Sequence, residues 1–340
     1  MASSQESASL RTGALASHFR AAVSHFREMG SPFNAHLSAL VAETPDLLAL
    51  VADAPLGQPP SYLLLGAVHE QVLRAPDSPL ARYYPSLTTA PLPLSEIAPA
   101  FLDLCASRAS EITSVVRTRR VQLTTPSRAS LVLPPLVHVA EQACSGESAS
   151  LPLTLIEVGA AASLLLHTDR YRYSYEGLPE FGGGPAAPHL PPCAYRAMPS
   201  PPLLAPIPER RVAVDLHPLD PRSPADRLWA EALLPPDWPD DRRALRACLD
   251  LCAETRVETH AGDALDLLPA LLDSRGGPCP PPTACTSGRP RSAPPSTCSS
   301  ATPASPARST ASPWNKPASS SPAPAETPRS GLRDSPPHLS

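Results

Sequence analysis

The stretch Leu153–Leu166, LTLIEVGAAASLLL, constrains this chain more than any other. A β-rich run (Leu153, Leu155, Ile156, Val158) closes on the acidic Glu157 and on Gly159. Small residues follow at Ala160, Ala161, Ala162 and Ser163, and a second apolar run begins at Leu164. Strand, tight small-residue turn and helix, in that order, open a nucleotide-binding α/β unit. The glycine permits a sharp turn, small side chains let a ligand approach the backbone, and the N–H groups opening the helix face that ligand. A full E-x-G-x-G-x-G signal would carry glycine where Ala161 and Ser163 stand. The competing reading is an ordinary buried strand followed by a helix.

Upstream, the pattern is helical. Leu15, Phe19, Ala22, Val23 and Phe26 form one apolar stripe,. Gly30 is placed to end that helix, and Ser31-Pro32 and Thr44-Pro45 to start the next two. Pro55–Pro60 is a break, and a further helix runs from Ser61. Ser95 is expected to cap one long helix carrying Ile97, Phe101, Leu104, Ile112 and Val115. Ser127 precedes another, interrupted or kinked at Pro134-Pro135,. Downstream of Leu153, strand candidates at Arg211–Leu216 and Arg256–Thr259 alternate with helices over Asp226–Leu234, Asp240–Ala253 and Ala261–Leu272. That alternation implies parallel βαβ units. The expected architecture is α/β: a helical region over 11–145, a parallel sheet unit over 151–275 that breaks off incomplete, and a Pro/Ser-rich remainder over 276–340.

The chain has 340 residues, 48 of them proline, and from Gly276 onward it lacks Ile, Val, Phe and Tyr. Such a segment cannot bury enough apolar surface to order itself. It reads either as a disordered tail whose PxxP spacings recruit proline-recognising partners, or as the product of a shifted reading frame in GC-rich coding sequence. It carries six basic against two acidic side chains, a surplus of four, so the net charge of −4 leaves the preceding residues at −8. An acidic body has no general affinity for nucleic acid. MASSQESASLRTG lacks a secretory apolar core, and no run reaches the ~18–20 apolar residues of a membrane span,. The eight cysteines include no C-x-x-C pair, and Cys248 and Cys252 read as buried thiols on one helix,. The expectation is a cytoplasmic, reduced protein binding a small molecule, with neither metal nor membrane.

Five segments share an order and spacing: LGAVHEQVL (Leu65–Leu73), ARYYPS (Ala81–Ser86), VQLTTPSR (Val121–Arg128), LIEVGAAASLLLHTDRYRY (Leu155–Tyr173) and ERRVAVDLHPLDP (Glu209–Pro221). Together they resemble a bacterial and fungal family catalogued as domain of unknown function 2332, over about Ser17–Leu272. No activity comes with that resemblance. The family's core in turn is similar to the Rossmann-like fold of class I S-adenosylmethionine-dependent methyltransferases, a likeness of fold alone. Against the family pattern, Ser163 stands for a glycine and Leu165 for an asparagine, and Gln122-Leu123-Thr124-Thr125 replaces Q-T-N-E. These departures imply a site altered from the family's, in the limit an inactive copy.

The methyltransferase likeness assigns roles. Glu157 and Gly159, with Ala161 and Ser163 as close-approach positions, would take the amino-acid and ribose end of S-adenosylmethionine. Asp215 would take the ribose diol, and Asp263 the adenine amino group. Asp215 and Asp263 could equally cap the elements after them. Asp169, Arg170 and Tyr173, just past the first helix, are candidates for the substrate pocket, as are Gln122 and Arg128. His217 is the one histidine suited to a general-base role, whereas His69 and His138 read as packed histidines. The alternative to a methyltransferase-like enzyme is a non-catalytic interaction protein using the α/β unit as scaffold.

Overall fold

The computed structural model describes residues 2–144, 153–194 and 205–273. The Pro/Ser-rich segment from residue 276, with both of its readings, lies outside them. Among the described residues seven α-helices come first, two short 3-10 turns aside: α1 (Ala2–Glu28), α2 (Pro32–Ala42), α3 (Pro45–Ala49), α4 (Pro60–Arg74), α5 (Ala98–Ser107), α6 (Ala109–Thr118) and α7 (Arg128–Cys144). Ser31 caps α2 as its sequence predicts, its hydroxyl accepting the Asn34 N–H at 3.3 Å,. Thr44 makes no such cap; its hydroxyl donates back to the Leu40 carbonyl at 2.8 Å. The single long helix expected after Ser95 is two helices, because Arg108 leaves the helical region at φ −116°, ψ 22°. In α7 the helix continues through Pro134 and Pro135.

Five strands follow: β1 (Thr154–Val158), β2 (Arg172–Tyr173), β3 (Phe181–Gly182), β4 (Arg210–Asp215) and β5 (Glu258–Ala261). Helices α8 (Pro224–Leu233) and α9 (Pro239–Glu254) connect β4 to β5, and α10 (Ala264–Asp273) leaves β5. The main sheet is parallel, in the order β1-β4-β5, with Glu157 opposite Ala213 and Ala213 opposite Thr259. The fold class is therefore α/β, with a helical N-terminal region and a small parallel sheet. β5 lies two residues later than its sequence suggests. Arg210 grips the Glu258 carboxylate with two hydrogen bonds of 2.9 Å across β4 and β5, which fixes that register.

The expected α-helix after the β1 turn does not form. Leu164–Arg170 is a 3-10 stretch broken at His167 (φ −113°, ψ 24°). Side chains take the carbonyls an α-helix would use. Tyr171 donates its hydroxyl to the Leu164 carbonyl and Tyr173 to the Thr168 carbonyl, both at 2.6 Å, while Arg211 donates to the Leu166 carbonyl. Tyr173 and Tyr175 then stack with Phe181 of the β2–β3 hairpin, inside the protein.

The helices share one hydrophobic cluster, from Phe19, Phe26 and Phe101 to Trp229, Leu245 and Cys248, which reaches the turn after β1 and the β2–β3 hairpin, while the main sheet packs in two smaller clusters around Ala213 and around Val212 and Val214. Trp229 on α8 is fully buried against α4, where Gly66 makes room for it; an added Cβ there would lie 3.1 Å from the indole. The indole Nε1 donates to the Arg120 carbonyl at 2.8 Å, and Asp237 accepts from Ser31 Oγ at 2.8 Å and from the Phe33 N–H at 3.0 Å. The indole bond holds the coil between α6 and α7, and the Asp237 bonds tie the start of α2 to the loop between α8 and α9. Cys248 and Cys252 are buried free thiols, and burial pushes the Cys248 thiol up to about 12. His69 is packed as expected, bonded to the Ala232 carbonyl and to Ser86 Oγ. His138 instead sits exposed beside Gln142.

Candidate functional site

All three strands of the main sheet run in one direction, so their carboxyl ends open on a common edge, where ligands of open α/β sheets bind. A cleft of about 720 Å³ lies there, a volume suited to a small molecule. Its sheet wall consists of the β1 turn (Glu157–Ala161), the end of β4 (Val214–His217) and Gly262–Ala264 after β5. The helical region supplies the other wall: Arg120–Thr125 and Arg128 around the start of α7, and Leu56 and Gln58 before α4. Gln58 Oε1 accepts the Val121 N–H at 2.7 Å and joins the two parts of that wall.

Eight of the residues singled out from the sequence meet in this cleft: Gln122, Arg128, Glu157, Gly159, Ala161, Asp215, His217 and Asp263. The turn keeps glycine geometry without the glycines. Gly159, Ala161 and Ser163 all have positive φ, at 72°, 47° and 65°. A side chain at such angles costs about 1–2 kcal/mol, so the two non-glycines hold a strained conformation that their surroundings enforce. At Ala161 the enforcing group is Asp215. Its Oδ2 accepts the Ala161 N–H at 2.8 Å, and its Oδ1 accepts the His217 N–H at 2.7 Å and Gln122 Nε2 at 3.1 Å. Gln122 Nε2 also reaches the His217 carbonyl, at 2.7 Å. A carboxylate accepts about four hydrogen bonds, so Asp215 is largely committed to clamping the turn. Asp263 Oδ1 accepts the Leu265 N–H at 2.9 Å and caps α10 while lining the cleft.

Glu157 is the electrostatically unusual group. Its Oε2 is buried without a hydrogen-bond partner. Desolvation, opposed by the Arg128 charge and the Leu165 backbone N–H and reinforced by the Asp215 carboxylate, pushes its pKa from 4.5 up to about 8. At neutral pH the protonated form of Glu157 is thus favoured,.

Asp169, Arg170 and Tyr173 do not line the cleft, which corrects their expected place in a substrate pocket. Asp169 accepts both arms of the Arg211 guanidinium at 2.7 Å in a pair that is nine-tenths buried. Arg170 reaches Thr255 at 3.4 Å, and Tyr173 is buried in the aromatic stack. The cause is the 3-10 stretch, which turns this segment back into the core. Ser163 is buried behind the turn and also lies outside the lining. Sequence reasoning missed Leu56, Gln58 and Arg120. An apolar Leu56 inside the Pro/Gly break at 55–60 was the available signal for the first of them.

A family profile described as "Uncharacterized protein conserved in bacteria (DUF2332)" matches residues 16–281. The chain belongs to the DUF2332 family. No curated protein and no solved structure matches it. In this DUF2332 protein the matched residues span both walls of the cleft. Among the described residues, no helix is long and apolar enough to cross a membrane, and no group of three His, Cys, Asp or Glu side chains is placed to hold a metal ion.

Proposed function

We propose that the cleft binds S-adenosylmethionine and that the protein is a methyltransferase-like enzyme. The observation that carries this reading is Glu157: an acid at the end of β1, lining the cleft, with a buried oxygen that no protein donor satisfies. A buried orphan oxygen is costly unless a ligand pairs with it, and an ammonium group is the natural partner. The residues present fit the group in part. Space over Gly159 is open, no atom standing within 4 Å of an added Cβ, so a ligand can approach the turn. Asp263 and Gly262 border the far end of the sheet wall, where the adenine would lie. Asp215 is mostly spent on the turn, so its part is to hold Ala161 in place, and a short 3-10 stretch replaces the helix N-terminus of the usual arrangement.

When bound, S-adenosylmethionine supplies an electrophilic methyl group. The chain's own contribution is positioning. Glu157 receives the ammonium and gives up its proton, and the Asp215 clamp fixes the turn. Gln122 ties the helical wall to the same carboxylate. His217, exposed at the cleft edge, is the group available to accept a proton from an acceptor. Calorimetric titration of the full chain with S-adenosylmethionine and with its demethylated product tests the reading. Saturable heat that Glu157→Ala abolishes is the expected result. No heat and no thermal shift at millimolar ligand would overturn it.

A further inference from the structure

We infer that the same cleft holds a second binding subsite, its anion site on the helical wall and its apolar surface spanning both walls, built for a small molecule that joins an anionic group to an apolar body. Arg120 and Arg128 take the carboxylate or phosphate, and Leu56, Val158 and Leu216 receive the body. As the acceptor's place, this rests on the cofactor reading above; as a binding site, it does not.

The first argument is the state of the two arginines. Other arginines of the chain are paired, Arg117 with Asp53, Arg119 with Asp226, Arg211 with Asp169 and Arg242 with Glu231. Among the described residues, neither Arg120 nor Arg128 has a carboxylate oxygen within 4 Å. Arg120 donates to the Thr118 and Arg119 carbonyls at 3.4 and 3.0 Å, and Arg128 to the Leu123 carbonyl at 3.4 Å. Carbonyls take donors without cancelling charge, and a guanidinium has five N–H groups. Both side chains therefore line the cleft with a full positive charge and donors to spare. The contrast within one dipeptide is instructive. Arg119 closes over Trp229, 6.0 Å from the ring centroid, and bonds Asp226. Arg120, one residue on, lines the cleft.

Charge distribution then assigns the wall. The carboxylates of Asp215 and Asp263 lie on the sheet wall, beside a Glu157 whose burial favours the neutral form, and both arginines lie on the helical wall. An anion is repelled from the first and drawn to the second, where a planar guanidinium suits carboxylate and phosphate equally. The third argument is apolar. Leu56 is fully exposed, and Val158 and Leu216 are more than half exposed. Exposed aliphatics scattered singly are ordinary. Three in one cleft, from the loop before α4 and from two strand ends, form a surface that a ligand can dehydrate. The cleft volume limits that ligand to a small molecule.

The test is titration of the full chain at low salt with benzoate and phenyl phosphate as the carboxylate and phosphate arms. Benzyl alcohol is the neutral counterpart, and acetate and inorganic phosphate are the anions without a body. One aryl anion is expected to bind at least tenfold more tightly than benzyl alcohol and than its own bare anion. The preferred arm tells carboxylate from phosphate. Arg120→Gln should weaken that probe at least tenfold and leave benzyl alcohol unchanged, and Leu56→Ser should weaken both aryl compounds. Circular dichroism of each variant must match the parent. Aryl anions that bind no better than benzyl alcohol, or that ignore Arg120→Gln, overturn the inference. Running each series with and without S-adenosylmethionine separates the two readings. Arg120-dependent aryl-anion binding in a chain that ignores S-adenosylmethionine retains the subsite and removes the cofactor, and the converse result removes the subsite alone.

Discussion

The Asp215 carboxylate accepts the Ala161 backbone N–H at 2.8 Å and thereby ties the turn after β1 to the end of β4. Ala161 stands at φ 47°, a conformation an alanine holds only when something else stabilises it. The same carboxylate collects Gln122 from the helical wall. One side chain thus sets the shape of the turn and its distance from the opposite wall.

Asp215→Asn is expected to destabilise the protein by about 1–3 kcal/mol. An amide offers one oxygen and one NH₂, so whichever way it is turned, a donor faces the Ala161 N–H or the His217 N–H. Urea unfolding should show a lowered midpoint at an unchanged slope, and S-adenosylmethionine affinity should fall with it. A midpoint like the parent's would mean that the clamp does not hold the turn.

The turn also predicts opposite signs at two of its positions. Gly159→Ala places a Cβ at φ 72° with no atom within 4 Å of it. The expected loss of about 1–2 kcal/mol is therefore conformational strain without a clash, partly offset by the freedom that alanine removes from the unfolded chain. Ser163→Gly relieves the strain at φ 65°, offset by the entropy glycine adds to the unfolded chain, for a net gain of up to about 1 kcal/mol. Thermal melting of the two variants reads both signs.

How far the sequence discloses this site follows from what periodicity and spacing encode. Glu157, Asp215 and Asp263 are legible as partners, because parallel strands joined by helices must end on one edge. The turn is legible even where its glycines are missing, since Ala161 and Ser163 keep the positive φ those positions need. Asp169 and Tyr173 are misread because nothing local reveals that Tyr171, Tyr173 and Arg211 will take the carbonyls of residues 164–168 from an α-helix. The break at Arg108 carries no proline or glycine to announce it. Arg120 and Leu56 escape notice for another reason: which helix-connecting coil faces the sheet is decided by tertiary packing, here of Trp229 on α4 and on the Arg120 carbonyl.

Asp169 and Arg211 offer a test that separates core from cleft. Their bidentate pair is nine-tenths buried, and removing one member leaves an uncompensated charge. Asp169→Ala is expected to cost about 3–5 kcal/mol. Replacing both with apolar residues of similar volume should cost much less. Where the single variant still folds, its affinity for cleft ligands should equal the parent's, because neither residue lines the cleft. A selective loss of ligand binding at full stability would instead place Asp169 in the site.

Glu157 makes stability and binding depend on pH in a calculable direction. Its pKa is raised from 4.5 to about 8 in the folded chain. Below pH 4.5 the carboxyl is neutral whether folded or unfolded, and it favours neither state. Between the two values only the folded chain keeps the proton, so the unfolded chain gains by ionising and stability falls as pH rises, levelling off above pH 8,. Glu157→Gln stays neutral throughout. The variant should match the parent near pH 4 and exceed it at pH 8 by roughly 2–4 kcal/mol, each pKa unit being worth about 1.4 kcal/mol before discounting for partial exposure. Chemical unfolding of both proteins across this range measures the difference, and parallel curves would place Glu157 in an ordinary solvated state. The same proton gives a binding signature. A cationic ligand that pairs with Glu157 must displace it, so near pH 7 calorimetry in buffers of different ionisation enthalpy should report release of close to one proton per ligand. That release should vanish in Glu157→Gln.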